Sequence, residues 1–335
     1  MQMRAYTVGK EKFMNAYIGH ESQMRGVEEH RLVGGKGDGM RLLLVRNGKG
    51  LEFTVCADRC ADISRLSFRG INMGYFSACG YVAPAYYDGV GDGFLKSFYS
   101  GFLTTCGLTA VGSPCEDDGE KLPLHGTVSN IPAEHIYWEM DEKEIRIHAK
   151  VTDERLFSHK MVLNRTLVCS LEENKITVKD TITNRGDKEC PAMILYHMNM
   201  GYPLLSEKSI VKIPSVKVMP RNDRAAEDLD TWDKMLTPQP QFEEQCYYHS
   251  FDKKGAASIY NPDIQQGLEI TFDADSLKFF TEWKMMGVRD YVLGLEPGNC
   301  TPDGRDRVRE AGDLTILQPG ESLHYEVNVA MLTEL

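Results

Sequence analysis

Lys175-Ile176-Thr177-Val178-Lys179-Asp180-Thr181-Ile182-Thr183-Asn184 is the stretch that decides the fold, and it ends at the turn Arg185-Gly186-Asp187. Ile176, Val178 and Ile182 fall two or four apart, between charged and hydroxyl side chains. Successive side chains of an extended chain point to opposite faces, so this period predicts a half-buried strand. The same pattern recurs on both sides of it. Ile145, Ile147 and Ala149 alternate with Arg146, His148 and Lys150; Leu268-Glu269-Ile270-Thr271-Phe272 repeats it, and Leu323-His324-Tyr325-Glu326-Val327-Asn328-Val329 follows the turn Pro319-Gly320. Near the start, Arg41-Leu42-Leu43-Leu44-Val45-Arg46 runs into Asn47-Gly48, a hairpin signal, and Leu51-Glu52-Phe53-Thr54-Val55 resumes the alternation. Short, closely spaced strands of this kind predict an all-β chain of antiparallel sheets in a sandwich or barrel.

Helical pattern is scarce. Residues 223 to 236 are expected to form one short helix, and Glu11 to Gln23 is a weaker second candidate. The 335 residues contain no internal repeat, low-complexity segment or Pro/Gly-rich linker. Length alone allows two domains at about 150 residues each, but one domain over 1–335 is the simpler reading. The longest stretch without periodicity, 74–123, is rich in Gly, Tyr and Phe, as binding loops on a β scaffold often are.

Composition narrows the function. Apolar residues make up 42% of the chain and charged residues 26%, enough for a real core. With 38 basic against 49 acidic residues the net charge is −11, which disfavours nucleic acid or an anionic membrane as the main partner. A local basic pocket for a sugar phosphate stays open. No run approaches the roughly 20 apolar residues that span a bilayer, and no apolar signal core follows Met1-Gln2-Met3-Arg4-Ala5-Tyr6, so a cytoplasmic protein is expected. Nine scattered cysteines, with Cys56 and Cys60 closest, are expected to be small buried thiols rather than disulfides or zinc ligands.

Four groups of polar residues stand out. His125 lies in Leu122-Pro123-Leu124-His125-Gly126-Thr127, where a proline-led turn and a glycine let backbone approach a ligand. His197 and Asn199 end the apolar run Ala192-Met193-Ile194-Leu195-Tyr196 and, two apart, share a face. Glu296 closes Tyr291-Val292-Leu293-Gly294-Leu295 before Pro297-Gly298; burial there would raise its pKa and suit it to act as a general base. Glu282-Trp283-Lys284 sets an aromatic between charges, a combination that fits sugar binding, with a ring face on C–H groups and charged neighbours on hydroxyls. Dinucleotide, phosphate-loop, nucleophile-elbow and zinc-helix templates are all missing.

The order of these motifs resembles the aldose 1-epimerase (galactose mutarotase) superfamily, and within it a poorly characterised aldose-1-epimerase-like branch. Leu103-Thr104-Thr105-Cys106-Gly107-Leu108, Leu124-His125-Gly126, Tyr196-His197-Met198-Asn199-Met200-Gly201, Leu295-Glu296-Pro297-Gly298-Asn299 and Leu317-Gln318-Pro319-Gly320-Glu321-Ser322 carry the resemblance, from about residue 24 to the C-terminus. It implies a large antiparallel β-supersandwich with a sugar cleft on one sheet, and no cofactor or metal. It also implies an isomerase of carbohydrate metabolism that interconverts sugar anomers. His125 would contact the sugar, His197 would protonate the ring oxygen and Glu296 would take the proton of the anomeric hydroxyl. The chain departs from the family where an arginine motif is expected before the first histidine. Lys284 or Arg305 is expected to supply that cation. It departs again at Tyr247-Tyr248-His249, where tyrosine replaces an aspartate, so that Tyr248 and His249 become candidate ligand contacts. The expected partner is a small-molecule carbohydrate, with a homodimer allowed. Two rivals stand beside this reading: a non-catalytic carbohydrate-binding protein, and a metal-dependent sugar isomerase in which His125, His197, His249 and Glu296 converge on the ion.

Overall fold

The computed structural model describes residues 6–8, 11–13 and 16–335. Three antiparallel sheets dominate it. An eight-stranded sheet runs in the order His135–Met140, Glu144–Glu154, Lys160–Ser170, Lys175–Asn184, Ser322–Leu332, Gln266–Asp273, Lys254–Asn261, Ile210–Lys212. A six-stranded sheet runs Lys217–Pro220, Gln245–Ser250, Phe279–Met286, Tyr291–Gly298, Met193–Met200, Leu103–Leu108. A five-stranded sheet of Gly26–Arg31, Arg41–Arg46, Leu51–Cys56, Asp62–Phe68 and Ile71–Asn72 follows the chain order. These are the antiparallel sheets expected from the alternation, in the β-supersandwich that the resemblance implies.

The large sheet shows that alternation cleanly. Along Glu144–Glu154, Ile145, Ile147, Ala149 and Val151 are buried and the residues between them are not. Its inner face meets the rear face of the six-stranded sheet in one apolar cluster that joins Ile147, Leu163, Val178 and Val327 to Tyr196, Met198, Phe280 and Leu295, with Leu43, Val45 and Phe53 from the five-stranded sheet. A buried polar hub ties the three sheets inside this core. The Arg165 guanidinium donates to both carboxylate oxygens of Asp180 at 2.9 and 2.7 Å, to Asp62 at 2.5 Å and to the Thr105 hydroxyl at 2.7 Å, and Tyr196 donates its hydroxyl to Asp180 at 2.9 Å.

The Asn47-Gly48 hairpin forms, and its buried Asn47 does more than turn the chain. Its Oδ1 accepts from the amides of Lys49 and Leu51, while its Nδ2 reaches Ser170, Glu173 and Asn174 at the end of the large sheet.

The helix expectations need correction. Within 223–236 only Asp223–Glu227 is α-helical, capped by the Asn222 side chain on the Ala225 amide at 3.0 Å, and a single 3-10 turn follows at Leu229–Thr231. Beyond it the chain is irregular, and the Lys284 ammonium takes the carbonyls of Thr231, Trp232 and Lys234. The second candidate fails as well. Glu11–Phe13 is a strand paired with Tyr6–Val8, and Glu21–Gln23 is one 3-10 turn, while residues 14 and 15 lie outside the described residues. A short helix at Arg305–Glu310, which the sequence pattern did not signal, packs Val308 against Met193 and Leu195 on the front of the six-stranded sheet.

Candidate active site

The front of the six-stranded sheet carries the site. Register pairs Tyr248 with Thr281, Thr281 with Glu296 and His197 with Thr104. The pairing of Leu195 with Gly298 and Met198 with Leu295 sets His197 opposite Glu296. One row of side chains thus crosses five strands, and a second row, two residues along, brings Cys246 beside Trp283 and Trp283 beside Gly294. Loops from the aromatic segment arch over these rows. The result is a cavity of about 300 Å³ in which Phe94, Leu95, Phe98 and Trp283 supply apolar walls to His125, His197, Glu296 and Arg221. That is the small end of small-molecule sites.

Nε2 of His197 stands 3.2 Å from Oε1 of Glu296, with both side chains almost wholly buried. The ring does not point its nitrogen along a hydrogen bond, and Glu296 Oε1, Thr281 Oγ1, His197 Nδ1 and His125 Nδ1 are buried without a partner. Buried polar atoms are normally satisfied, and here four atoms that no protein group satisfies belong to residues around one cavity. Burial lowers the His197 pKa to about 4, against a smaller upward pull from Asn199. Burial also raises Glu296 well above the usual carboxylate range; Glu244 pushes it further and Arg221 opposes. Burial thus works against the charged form of each member of the pair.

Glycines seat both groups. A Cβ on Gly294 would lie 2.2 Å from Glu296 Oε1, so the bare backbone is what leaves room for the carboxylate to fold back along its strand. His125 and Gly126 both have positive φ, 59° and 72°. A Cβ on Gly126 would meet the carbonyls of Gly107 and Ala110 at 2.3 and 2.4 Å, so the loop presses onto the edge strand and turns the His125 ring toward His197, centroid to centroid 5.5 Å.

Of the residues singled out in the sequence, His125, His197, Glu296 and Trp283 line the cavity. Tyr248 stands one step behind it, donating its hydroxyl to Asp303 at 2.6 Å. Asn199 shares the front face but turns its amide to the carbonyls of Gly101 and His197. The others are not brought there. Period two splits Glu282-Trp283-Lys284, sending Glu282 and Lys284 to the rear. Glu282 lies 3.3 Å from His249, which also bonds Ser215 at 3.0 Å, and Lys284 holds the three carbonyls named above. His249 therefore cannot join His125, His197 and Glu296 around one ion, and among the described residues no group of three or more His, Cys, Asp or Glu could hold a metal. Arg305 is tied up in a separate buried cluster with Asp117 and Glu120.

The cation of the site is Arg221, which the sequence reading missed. Its guanidinium is fixed by Asp303 at 2.9 Å, Ser113 at 3.1 Å and the Pro302 carbonyl at 3.2 Å. It follows an irregular edge strand, Lys217-Val218-Met219-Pro220, with no local signal of its role. Glu244, also missed, reads as half of an ordinary Glu243-Glu244 charge run. Thr281 was within reach, because it lies two residues before Trp283 on the same face.

The fold and the cavity place the protein in the aldose 1-epimerase/galactose mutarotase-like class of β-sandwiches. Within it, the chain belongs to the family described as a domain of unknown function, DUF4432, which matches residues 37–331. No curated protein matches it. A solved structure from Klebsiella pneumoniae subsp. pneumoniae, provisionally named an aldose 1-epimerase, superposes with a TM-score of 0.87 at 28% identity, over 92% of this chain and 83% of that one. A galactose mutarotase-like protein from Clostridium acetobutylicum gives 0.65 at 14% identity over 92% and 99%. Galactose 1-epimerase from Lactobacillus acidophilus gives 0.64 at 12% identity over 93% and 100%, a likeness of fold alone.

Proposed function

We propose that this protein interconverts the anomers of a reducing sugar or sugar derivative by acid–base ring opening. The observation that carries this reading is the His197–Glu296 contact of 3.2 Å at a cavity of about 300 Å³, sized for one sugar ring. In a hemiacetal the ring oxygen and the anomeric hydroxyl sit on the same carbon, so a donor and an acceptor must also sit within a few ångströms of each other. His197 gives a proton to the ring oxygen as Glu296 takes the hydroxyl proton. The bond from the anomeric carbon to the ring oxygen breaks, and an open-chain aldehyde forms. After rotation about the adjacent carbon–carbon bond the transfers reverse, and the ring closes on the other face with every proton returned. Each positioned group contributes about 10²–10⁴ in rate.

The rest of the cavity suits a carbohydrate. Trp283 presents a ring edge-on to His197 with centroids 5.2 Å apart, an apolar wall for C–H groups. The unpartnered atoms of Thr281 and His125 offer bonds to hydroxyls. Arg221 supplies a fixed positive charge that favours the ionised form of Glu296. All nine cysteines are free thiols, in keeping with a reducing, cytoplasmic setting.

The test is to follow anomer equilibration of freshly dissolved aldoses and sugar derivatives by NMR, with wild type and Glu296→Gln side by side. Acceleration by wild type that is lost in the variant is the expected result. Sugars that bind, shown by line broadening, yet equilibrate no faster would overturn catalysis in favour of a carbohydrate-binding protein.

A further inference from the structure

Glu244 lies just ahead of the strand Gln245–Ser250, exposed at the rim of the cavity it helps to line. Its Oε2 accepts a hydrogen bond from the indole Nε1 of Trp283 at 2.7 Å. Trp283 in turn abuts His197, and His197 abuts Glu296. The four side chains form one continuous arc around the cavity.

The groups facing Glu296 can be named from each element packed against it. His197 comes from the neighbouring strand, and Arg221 from the segment after Lys217–Pro220, held by Asp303. His125 comes from the covering loop, its ring against that of His197. The thiols of Cys106 and Cys246 are kept protonated by burial, the latter pushed up to about 12. Glu244 is the nearby carboxylate whose charge opposes loss of the Glu296 proton, whereas Arg221 favours it.

We propose that Glu244 is a positioning residue of this site, holding the Trp283 indole in the cavity wall and placing a second carboxylate on the cavity that Glu296 lines. The inference rests on the acid–base reading above. A carboxylate next to another makes the second a stronger base, and an indole pinned at its N–H presents one fixed face to the bound ring. Both effects come from a residue that need not touch the reacting atoms.

Two variants separate them. Glu244→Gln keeps an oxygen to accept the indole N–H and removes the charge; Glu244→Ala removes both. In Glu244→Gln the loss of the charge lowers the proton affinity of Glu296. The acid limb of the kcat/KM–pH profile is then expected to move to lower pH, by about half to one unit, with KM within about twofold of wild type. The Trp283 indole N–H resonance stays in place. In Glu244→Ala the limb moves likewise, the indole resonance shifts, and KM rises roughly two- to tenfold, the worth of one hydrogen bond.

A Glu244→Gln profile that superposes on wild type overturns the charge role, and an unmoved indole resonance in Glu244→Ala overturns the clamp. If wild type accelerates no sugar, the acid–base reading fails on its own account. The indole resonance and an infrared titration of the Glu296 carboxyl, in wild type and Glu244→Gln, still decide the part Glu244 plays.

Discussion

The eight-stranded and six-stranded sheets are built of the same kind of strand but solve different problems. Glu144–Glu154 buries every second residue and shows the rest to water, whereas Met193–Met200 and Tyr291–Gly298 are buried at all eight positions. The large sheet has one face to hide. The smaller one has the core behind it and loops and the Arg305–Glu310 helix in front. A polar side chain on the large sheet can turn to water; on the smaller one it must find a partner or wait for one. Behind that sheet, His249 and Lys284 are held by protein groups, and Glu282 meets His249 through Oε2 while its Oε1 has no partner. In front, Oε1 of Glu296 and Oγ1 of Thr281 reach none. On this sheet the unpartnered atoms that line a cavity all lie in front.

The largest effect expected from this contrast is at Glu296. Glu296→Gln should cost about 10²–10⁴ in the rate of anomer equilibration with little change in Tm. Glu282→Gln, on the adjacent strand but facing the rear, should lower Tm and leave the rate per folded molecule within a few-fold. Equal losses of rate in both would erase the distinction between the faces.

Gly294→Ala comes next. A Cβ 2.2 Å from Glu296 Oε1 forces the carboxylate aside. A displacement of about 1 Å can cost on the order of 10² in rate, read here as a fall in kcat without loss of Tm.

Acid should tell the two sheets apart more gently. His197 has a folded pKa of about 4 against the usual 6.5, so between those values the unfolded chain binds the extra proton. Stability is then expected to fall as pH drops from about 6.5 toward 4. Tm measured across that window should fall less steeply in His197→Asn. The smallest effect belongs to the outer face of the large sheet. Arg146, paired with Glu139 and Asp141 on that face, should leave the urea midpoint almost unmoved on replacement by Ala.

What was legible follows the same division. The large sheet announced itself through Lys175–Asn184 and its neighbours because one face needs water and the other does not. His197, Glu296 and His125 were legible because polar residues close apolar runs or precede a glycine at a turn, and because the order of motifs resembles a known superfamily. Glu282, Lys284 and His249 were drawn to the wrong face because proximity in sequence was read as proximity in space, against the two-residue period. Arg305 was read as a cleft cation, although Asp117 and Glu120 hold it elsewhere. Arg221 and Glu244 lie beyond any local pattern, since strand order alone carries them to the cavity. Over 223–236 the helix ends at Glu227, and the carbonyls of Thr231, Trp232 and Lys234 go to Lys284, some fifty residues downstream, a partner that no local window contains.

Arg165 gives the molecule a temporal property as well as a structural one. It is clasped at once by a carboxylate of its own sheet, a carboxylate of the five-stranded sheet and a hydroxyl of the six-stranded sheet. Peeling away any one sheet strips a partner from a charge sealed in an apolar interior, at a cost of several kcal/mol. Partial openings that free a whole sheet are therefore suppressed, and the three sheets come apart together. Cleavage by an added protease is then expected to track global unfolding, with limited-proteolysis rates and urea unfolding giving the same free energy.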